Sequence, residues 1–471
     1  MRYAPPLILI VAVLGGCTVG PSYRQPPTTL GSAAPWVSPD TAPGDVDTSW
    51  WRALGDPMLD TLVARALTDN LDVREAQARL LDARANRDAA AGRTVPEIRA
   101  SGGATQTQLS QNGQIPIARI PGFTRQFSLF DAGFDASWEL DLWGGTRRAV
   151  EGSRARAAAA AARIDDIRLQ SIAEVARSYA DLRAGQARLA NARADSDICD
   201  AIAALVTQRT AAGESSASDQ ASARQRADTA RAAISGIEAD IRGAIYRLAL
   251  LTGQPPEALL ADLSPTAPLP QVPVVVATGI RSDLLRRRAD IRAADADLAA
   301  ATADIGVETA NLYPHISLTG SLGQQSRAIG DIASGASTRF QIGPSFSWPI
   351  FSFGRIRAQI RAADARAGAA AARYEKAVLG ALADSETAVN RLAASRSAQL
   401  DRATALAESS TATALAERRF RAGEDDRIAW LESQSFRLAI EQQALSAQTD
   451  TLKAYIALAK ALGGTWAETD K

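Results

Sequence analysis

Histidine is almost missing from this chain: His315 is the only one in 471 residues. A His-dependent triad and a metal centre built on several imidazoles are both excluded by that count. The chain also lacks a phosphate-cradling glycine loop ending in Gly-Lys and the Gly-x-Ser-x-Gly elbow of a serine hydrolase. Enzymatic chemistry has no positive signal, and neither a metal nor a cofactor is expected. Cysteine is nearly as scarce, with Cys17 and Cys199 alone. Cys199 sits among Ile198, Ile202 and Leu205 with no activating His nearby, and reads as a small packing residue. An excess of either charge is lacking too, since Lys+Arg and Asp+Glu both number 52. Nothing therefore draws the protein toward nucleic acid.

Proline is missing where it matters most. None occurs between Pro121 and Pro255, and none after Pro349. Because proline breaks helix interiors by removing a donor and clashing with the preceding turn, two long alanine-rich stretches are free to be helices. Beyond the amino terminus there is no apolar run approaching the roughly 20 residues of a transmembrane helix. A membrane crossing must then be made of strands, because every backbone polar group in lipid has to find its partner within the protein.

The amino terminus has the order of a secretion signal: Arg2, an apolar run from Leu7 to Leu14, then Gly15 and Gly16 before Cys17. Leu14-Gly15-Gly16-Cys17 resembles a bacterial lipobox, which implies that residues 1–16 are removed and that Cys17 carries covalent lipid. Residues 17–56, rich in Pro, Ser, Thr and Gly, read as an extended acylated segment.

The rest of the chain says one thing twice. Trp138 and Trp348, Gly144 and Gly354, Arg147 and Arg357, Gly213 and Gly423, and Gly253 and Gly463 are all 210 residues apart, while Asp72 and Pro96 match Asp290 and Pro314 at 218. The expected division is a first repeat at 57–254, a linker at 255–281, a second repeat at 282–464 and a tail at 465–471. Each repeat begins with a helix, near Leu71–Arg93 and Arg288–Asn311. Two alternating strands follow: Ser128, Phe130, Ala132, Phe134, Ala136 and Trp138 share one face, as do Ile316, Leu318, Gly320 and Leu322, and Phe340, Ile342, Pro344, Phe346 and Trp348. Long loops such as Gln111–Arg125 join the strands. A glycine step then opens a long helix, Arg147–Ala211 in the first repeat, roughly 98 Å at 1.5 Å per residue. Its return, Asp219–Thr252, and the helix before the strands would be roughly 51 and 35 Å, together nearly matching it. Four strands cannot close a barrel, and an open edge in lipid leaves backbone groups unpaired, so three copies supplying twelve strands are expected.

Cys17-Thr18-Val19-Gly20-Pro21-Ser22-Tyr23, Trp50-Trp51, Gly55-Asp56-Pro57, Asn70-Leu71-Asp72-Val73, the Val95-Pro96 and Tyr313-Pro314 turns and the Arg-x-x-x-Gly tips, in this order and duplicated, resemble the lipoprotein branch (OprM/NodT-like) of the TolC-like outer-membrane efflux factors. The resemblance covers nearly the whole chain. It implies a mainly α protein with membrane β: a homotrimer whose twelve-stranded β-barrel is continuous with a twelve-helix tunnel girdled by a mixed belt. It also implies a passive conduit in the outer membrane of a Gram-negative bacterium, carrying small molecules such as drugs and toxic compounds. The implied partners are outer-membrane lipid, a periplasmic membrane-fusion adaptor and an inner-membrane pump, of the RND type first, with ABC and MFS types as alternatives.

The hairpin tips, Arg209 to Ser215 and Arg419 to Asp425, hold the residues an adaptor would meet: Arg209, Gly213, Glu214, Arg419, Arg421, Gly423 and Glu424. Family members place inward carboxylates six or nine residues past the tip glycine. Asp219 lies six after Gly213 and Glu432 nine after Gly423, while six after Gly423 stands Ala429, a departure from the pattern. With Asp426 these are the gate candidates, since threefold symmetry would gather their charge around one axis. The plainer reading of the same carboxylates is that they complement helix dipoles. Trp138, Trp143, Trp348 and Phe353 fall where strands hand over to helices, a place for membrane-interface aromatics or equally for packing. A coiled-coil outer-membrane lipoprotein without a pore is the competing reading, and the duplicated strands argue against it.

Overall fold

A computed structural model of the chain describes residues 18–26, 36–37, 44, 47–110, 124–279 and 284–463. The leader, Cys17, loop residues 111–123 and the tail lie outside the described residues. After a 3-10 turn at Trp50–Leu54 come helices α1 (Pro57–Asp69) and α2 (Leu71–Gly92), strands β1 (Glu97–Gln108) and β2 (Gln126–Leu140), the long helix α3 (Gly145–Ala211) and its return α4 (Ala217–Leu251). Short turns lead to α5 (Ala289–Ala310), β3 (His315–Ser326), β4 (Thr338–Ser347), α6 (Arg355–Arg421) and α7 (Arg427–Ala461). Among the described residues no helix is long and apolar enough to cross a membrane.

The element lengths repeat. Helices α3 and α6 each have 67 residues, α4 and α7 each 35, α2 and α5 each 22, and β1 and β3 each 12. The second strands differ, with 15 residues in β2 and 10 in β4. The change of offset from 218 to 210 accumulates in these strands and the loops flanking them.

Local chemistry sets the boundaries. Helices α3 and α6 end on Gly213 (φ 80) and Gly423 (φ 78), where a left-handed residue lets the turn close without a Cβ penalty. Gly213 N–H donates to Thr210 O at 3.1 Å and Glu214 N–H to Arg209 O at 2.8 Å; Gly423 and Glu424 repeat both bonds to Phe420 and Arg419, each at 3.0 Å. Helix α4 starts at a reciprocal capping box between Ser216 and Asp219, and α7 at Asp426, whose carboxylate accepts from Ala429 N–H.

Helix α1 was not foreseen as a separate element. Asp56 caps it, accepting from Met58 and Leu59 N–H at 2.9 and 3.2 Å, and Pro57 opens it. Leu59, Leu62, Val63 and Ala66 form its buried stripe.

Two compact units are formed. One contains the described residues within 18–26, 80–159 and 294–374; the other contains those within 36–79, 160–293 and 375–463. In the first, the strands make one antiparallel sheet in the order β1-β2-β3-β4. In the second, Tyr179, Leu182, Ile245, Leu248, Leu263, Leu452 and Leu458 are among the most deeply buried side chains. Tyr179 O–H donates to Asp56 Oδ2 at 2.7 Å, and burial followed by that carboxylate pushes the phenol up to about 12.

The second unit also repeats a joint. Asn70 Nδ2–H donates to Leu251 O at 2.9 Å, while its Oδ1 accepts from Asp72 and Val73 N–H, so one side chain caps α2 and closes α4. At the matching place in the other copy, Arg288 Nη1–H donates to Ala461 O at 3.1 Å.

Candidate functional site

The strand register decides what the sheet can face. Across β1 and β2, Ile98 pairs with Ala136, Ala100 with Phe134, Gly102 with Ala132 and Ala104 with Phe130. Across β2 and β3, Phe134 pairs with Leu322, Ala136 with Gly320 and Trp138 with Leu318; across β3 and β4, Leu322 pairs with Phe340, Gly320 with Ile342, Leu318 with Pro344 and Ile316 with Phe346. Directly opposed residues share a face, so every alternating apolar set lands on the same side. That side is not covered by the chain itself: Phe340, Ile342 and Phe346 are 78, 72 and 77% exposed. A contiguous apolar surface of this kind marks contact with lipid or another chain.

The opposite face is polar. It carries Glu97, Arg99, Ser101, Asp131, Asp135, Glu139, Ser317, Thr319, Ser321, Gln325, Arg339, Gln341 and Ser345. Ser101 Oγ–H donates to Asp135 Oδ2 at 2.8 Å, and His315 Nδ1 lies 2.7 Å from Glu139 Oε1. Phe127 and Leu129, toward one end of β2, are the apolar exceptions on this side, and Arg327 lies 5.1 Å over the Phe127 ring. Among the described residues, strands β1 and β4 each pair on one side only.

The four junction aromatics take different positions. Trp138 Nε1–H donates to Thr94 O and Trp348 Nε1–H to Leu312 O, both at 3.0 Å, so the repeat extends to these bonds. Trp143 donates to Pro314 O at 2.9 Å and stacks on Tyr313 at 4.7 Å, a packed position. Phe353 is 90% exposed, edge-on to Phe351 at 4.4 Å, and is held at φ 47, a left-handed conformation costly for an aromatic residue.

In the second unit the hairpin tips meet. Arg209 Nη1 lies 3.0 Å from Asp426 Oδ2 and Arg226 Nη1 lies 3.7 Å from Glu432 Oε1, so two gate candidates pair with arginines of the other hairpin. Beneath them Ile202, Val206, Ala223 and Leu431 form a shared apolar cluster, with Ile428 and Trp430 packed against it. Trp430 stacks on Phe420 at 5.2 Å. Asp219 is instead engaged locally: its Oδ2 accepts from Ser216 N–H at 3.1 Å and Ser216 Oγ–H at 2.8 Å, which holds its carboxyl below the usual range. The Asp426 carboxyl is held low first by the Ala429 N–H and then by Arg209. Arg419 lies 2.9 Å from Asp425 and 3.7 Å from Glu424, Arg421 pairs with Glu417 at 2.5 Å, and Glu214 is exposed.

Sequence reasoning missed Arg226 and the Phe420–Trp430 stack. Arg226 and Glu432 are joined by folding across some two hundred residues, a separation over which no spacing rule operates. The stack had a weaker local signal, two aromatics flanking a glycine turn.

A family model described as outer membrane efflux protein matches residues 62–254 and 280–464. The chain is 31% identical over 471 residues to the pyoverdine export outer membrane protein OpmQ of Pseudomonas aeruginosa, covering 98% of this chain and 96% of the relative. It is 29% identical to the toluene efflux pump outer membrane protein TtgF of Pseudomonas putida, again covering 98 and 96%. Among solved structures, that of the outer-membrane channel OprN superposes with a TM-score of 0.85 at 34% identity, covering 96% of this chain and 100% of that one.

Proposed function

The chain belongs to the outer membrane efflux protein family, its function is that of an outer-membrane efflux channel, and we propose that it works as a lipid-anchored homotrimer carrying small organic molecules outward. The observation that carries the reading is the sheet: among the described residues, four strands, one face with a broad uncovered apolar band, one polar face, and an unpaired edge at each end. In lipid those edges would leave backbone groups without partners at several kcal/mol each. Pairing β4 of one copy with β1 of the next, three times over, closes a twelve-stranded barrel with lipid outside and water inside.

In this reading the helical hairpins of the three copies surround a tunnel, and the tips carrying Arg209, Gly213, Arg419 and Gly423 receive a periplasmic adaptor that links the channel to an inner-membrane pump. Asp219, Asp426 and Glu432 serve as the gate, the Arg209–Asp426 pair holding the hairpins together at rest. Cys17 bears the lipid. Relatives named for pyoverdine export and toluene efflux support small-molecule cargo. The apolar sheet face argues against a pore-less coiled-coil lipoprotein, which has no use for it.

The decisive experiment is reconstitution of detergent-purified protein. Expected are a heat-modifiable trimer band on unboiled gels and discrete conductance steps in planar bilayers. A monomer that never conducts would overturn the reading.

A further inference from the structure

Residues 18–26 form neither helix nor strand, yet in the first unit they follow a closely specified course. Val19 N–H donates to Trp143 O at 3.0 Å. Arg148, only 4% exposed, gives Nε–H to Val19 O at 3.2 Å, and Nη2–H to Gly20 O at 3.3 Å and Ser22 Oγ at 3.1 Å; its Nη1–H goes to Glu151 Oε2 at 2.7 Å. The planar fork of arginine suits this multiple grip, which a lysine cannot reproduce.

Glycines allow the close approach. At Gly20 (φ 84) a Cβ would stand 2.5 Å from Gly306 Cα, and a Cβ on Gly306 would stand 2.7 Å from Arg148 Cγ. At Gly144 (φ 80) a Cβ would meet Thr18 Cγ2 at 2.6 Å. Further along, Tyr23 O–H donates to Asp295.

The repeat supplies an independent argument. Arg148, Gly306 and Asp295 correspond to Ala358, Asp88 and Gln77 in the other copy. One segment needs one seat, and although Gly144 is matched by Gly354, the three residues that grip the segment, Arg148, Gly306 and Asp295, are places where the two copies disagree. The seat also has a fixed level. Thr18 rests on Gly144, beside Trp143, which donates to Pro314 at the entrance to β3.

We infer that Arg148 is a positioning residue for the lipid anchor, locking residues 18–23 into the seat formed by Gly144 and Gly306. Acyl chains on Cys17 then enter the bilayer beside the strand-to-helix junction instead of at the end of a free tether. The inference rests on the lipoprotein reading of Cys17.

The test compares the full-length wild type with Arg148→Ala, with Arg148→Lys, and with a Cys17→Ala form exported by an ordinary secretory leader, alone and combined with Arg148→Ala. Three quantities are read: the mass of the amino-terminal peptide, hydrogen exchange of residues 18–23, and the yield of heat-resistant oligomer. Expected in Arg148→Ala are an unchanged lipidated peptide, exchange faster by roughly tenfold or more as charge-assisted hydrogen bonds are lost, and a reduced oligomer yield. Arg148→Lys, which keeps charge and stem, should shift exchange the same way even if the alanine variant fails to fold.

Adding Arg148→Ala to Cys17→Ala should lower the yield no further, because the anchor it positions is gone. Equal losses in both backgrounds would reduce Arg148 to a structural residue and overturn the inference. Unchanged exchange in a lipidated protein would overturn the inference alone. A wild-type peptide without lipid would overturn the lipoprotein reading and this inference with it.

Discussion

Asp219 and Asp426 are both acids at the start of a return helix, but their neighbours give them different work. The Asp426 carboxylate joins the hairpins through Arg209, with both side chains about half exposed. Such a pair contributes only about 0.2–1 kcal/mol, small enough for an adaptor to displace. Because its folded pKa is depressed, the contribution of Asp426 is complete above the ordinary aspartate value of roughly 3.9 and is lost as pH falls through the lowered one. Channel opening in bilayers should therefore rise at strongly acidic pH in the wild type. Arg209→Ala channels should already be more open at neutral pH and show a smaller acid step; an identical pH profile in both would remove the pair from the gate. Asp219, fully exposed and tied to Ser216, stays charged into acid. Asp219→Asn should weaken block by divalent cations while Ser216→Ala, which disturbs the cap and keeps the charge, should leave block intact. Block that follows the cap and not the carboxylate would assign Asp219 to helix capping alone.

At the scale of elements, the two faces of the sheet answer differently to the same substitution. Ile342 lies on the apolar face opposite Gly320, and Thr319 lies on the polar face opposite Gly343. Ile342→Lys should destabilise the inserted protein by about 2–4 kcal/mol if it faces the bilayer midplane, read as a lost heat-resistant band after folding into vesicles. Thr319→Lys should be tolerated and instead alter ion selectivity; equal damage from both would mean that the faces are not lipid and water. The helix joint at Asn70 is a second element-scale feature. Asn70 is 2% exposed and its side chain makes three hydrogen bonds, so Asn70→Ala should cost about 1–3 kcal/mol through an uncapped α2 and an orphaned Leu251 carbonyl. Thermal unfolding of the purified protein measures it, and an unchanged transition would mean that water replaces all three bonds.

For the whole molecule, the chain's own periodicities were enough to reach long helices and alternating strands in two sets of closely matching lengths. Proline-free, alanine-rich stretches allow little but helix, alternation with period two marks strands, and a constant offset of 210 marks a repeat, because each is written locally. The tip glycines were legible for the same reason, since a left-handed turn needs its residue in place whatever surrounds it. Helix α1 is legible as well, in Asp56-Pro57 and the stripe after it, at the head of the first repeat, whose first helix is expected only from Leu71. What no local signal carried was registration between distant segments. Alternation puts Phe134, Leu322 and Phe340 each on one face of its own strand, but a slip of one residue would have sent one of them to the other side. Only tertiary hydrogen bonding placed all three together. The pairing of Arg209 with Asp426, the reach of Arg226 to Glu432 and the grip of Arg148 on residues 19–22 belong to the same class. Sequence by itself determined the kinds of element, their lengths and their repetition, which depend on backbone sterics and side-chain periodicity along a few turns. Tertiary structure alone decided which faces coincide and which charges meet, because those depend on distances set by packing of the folded chain.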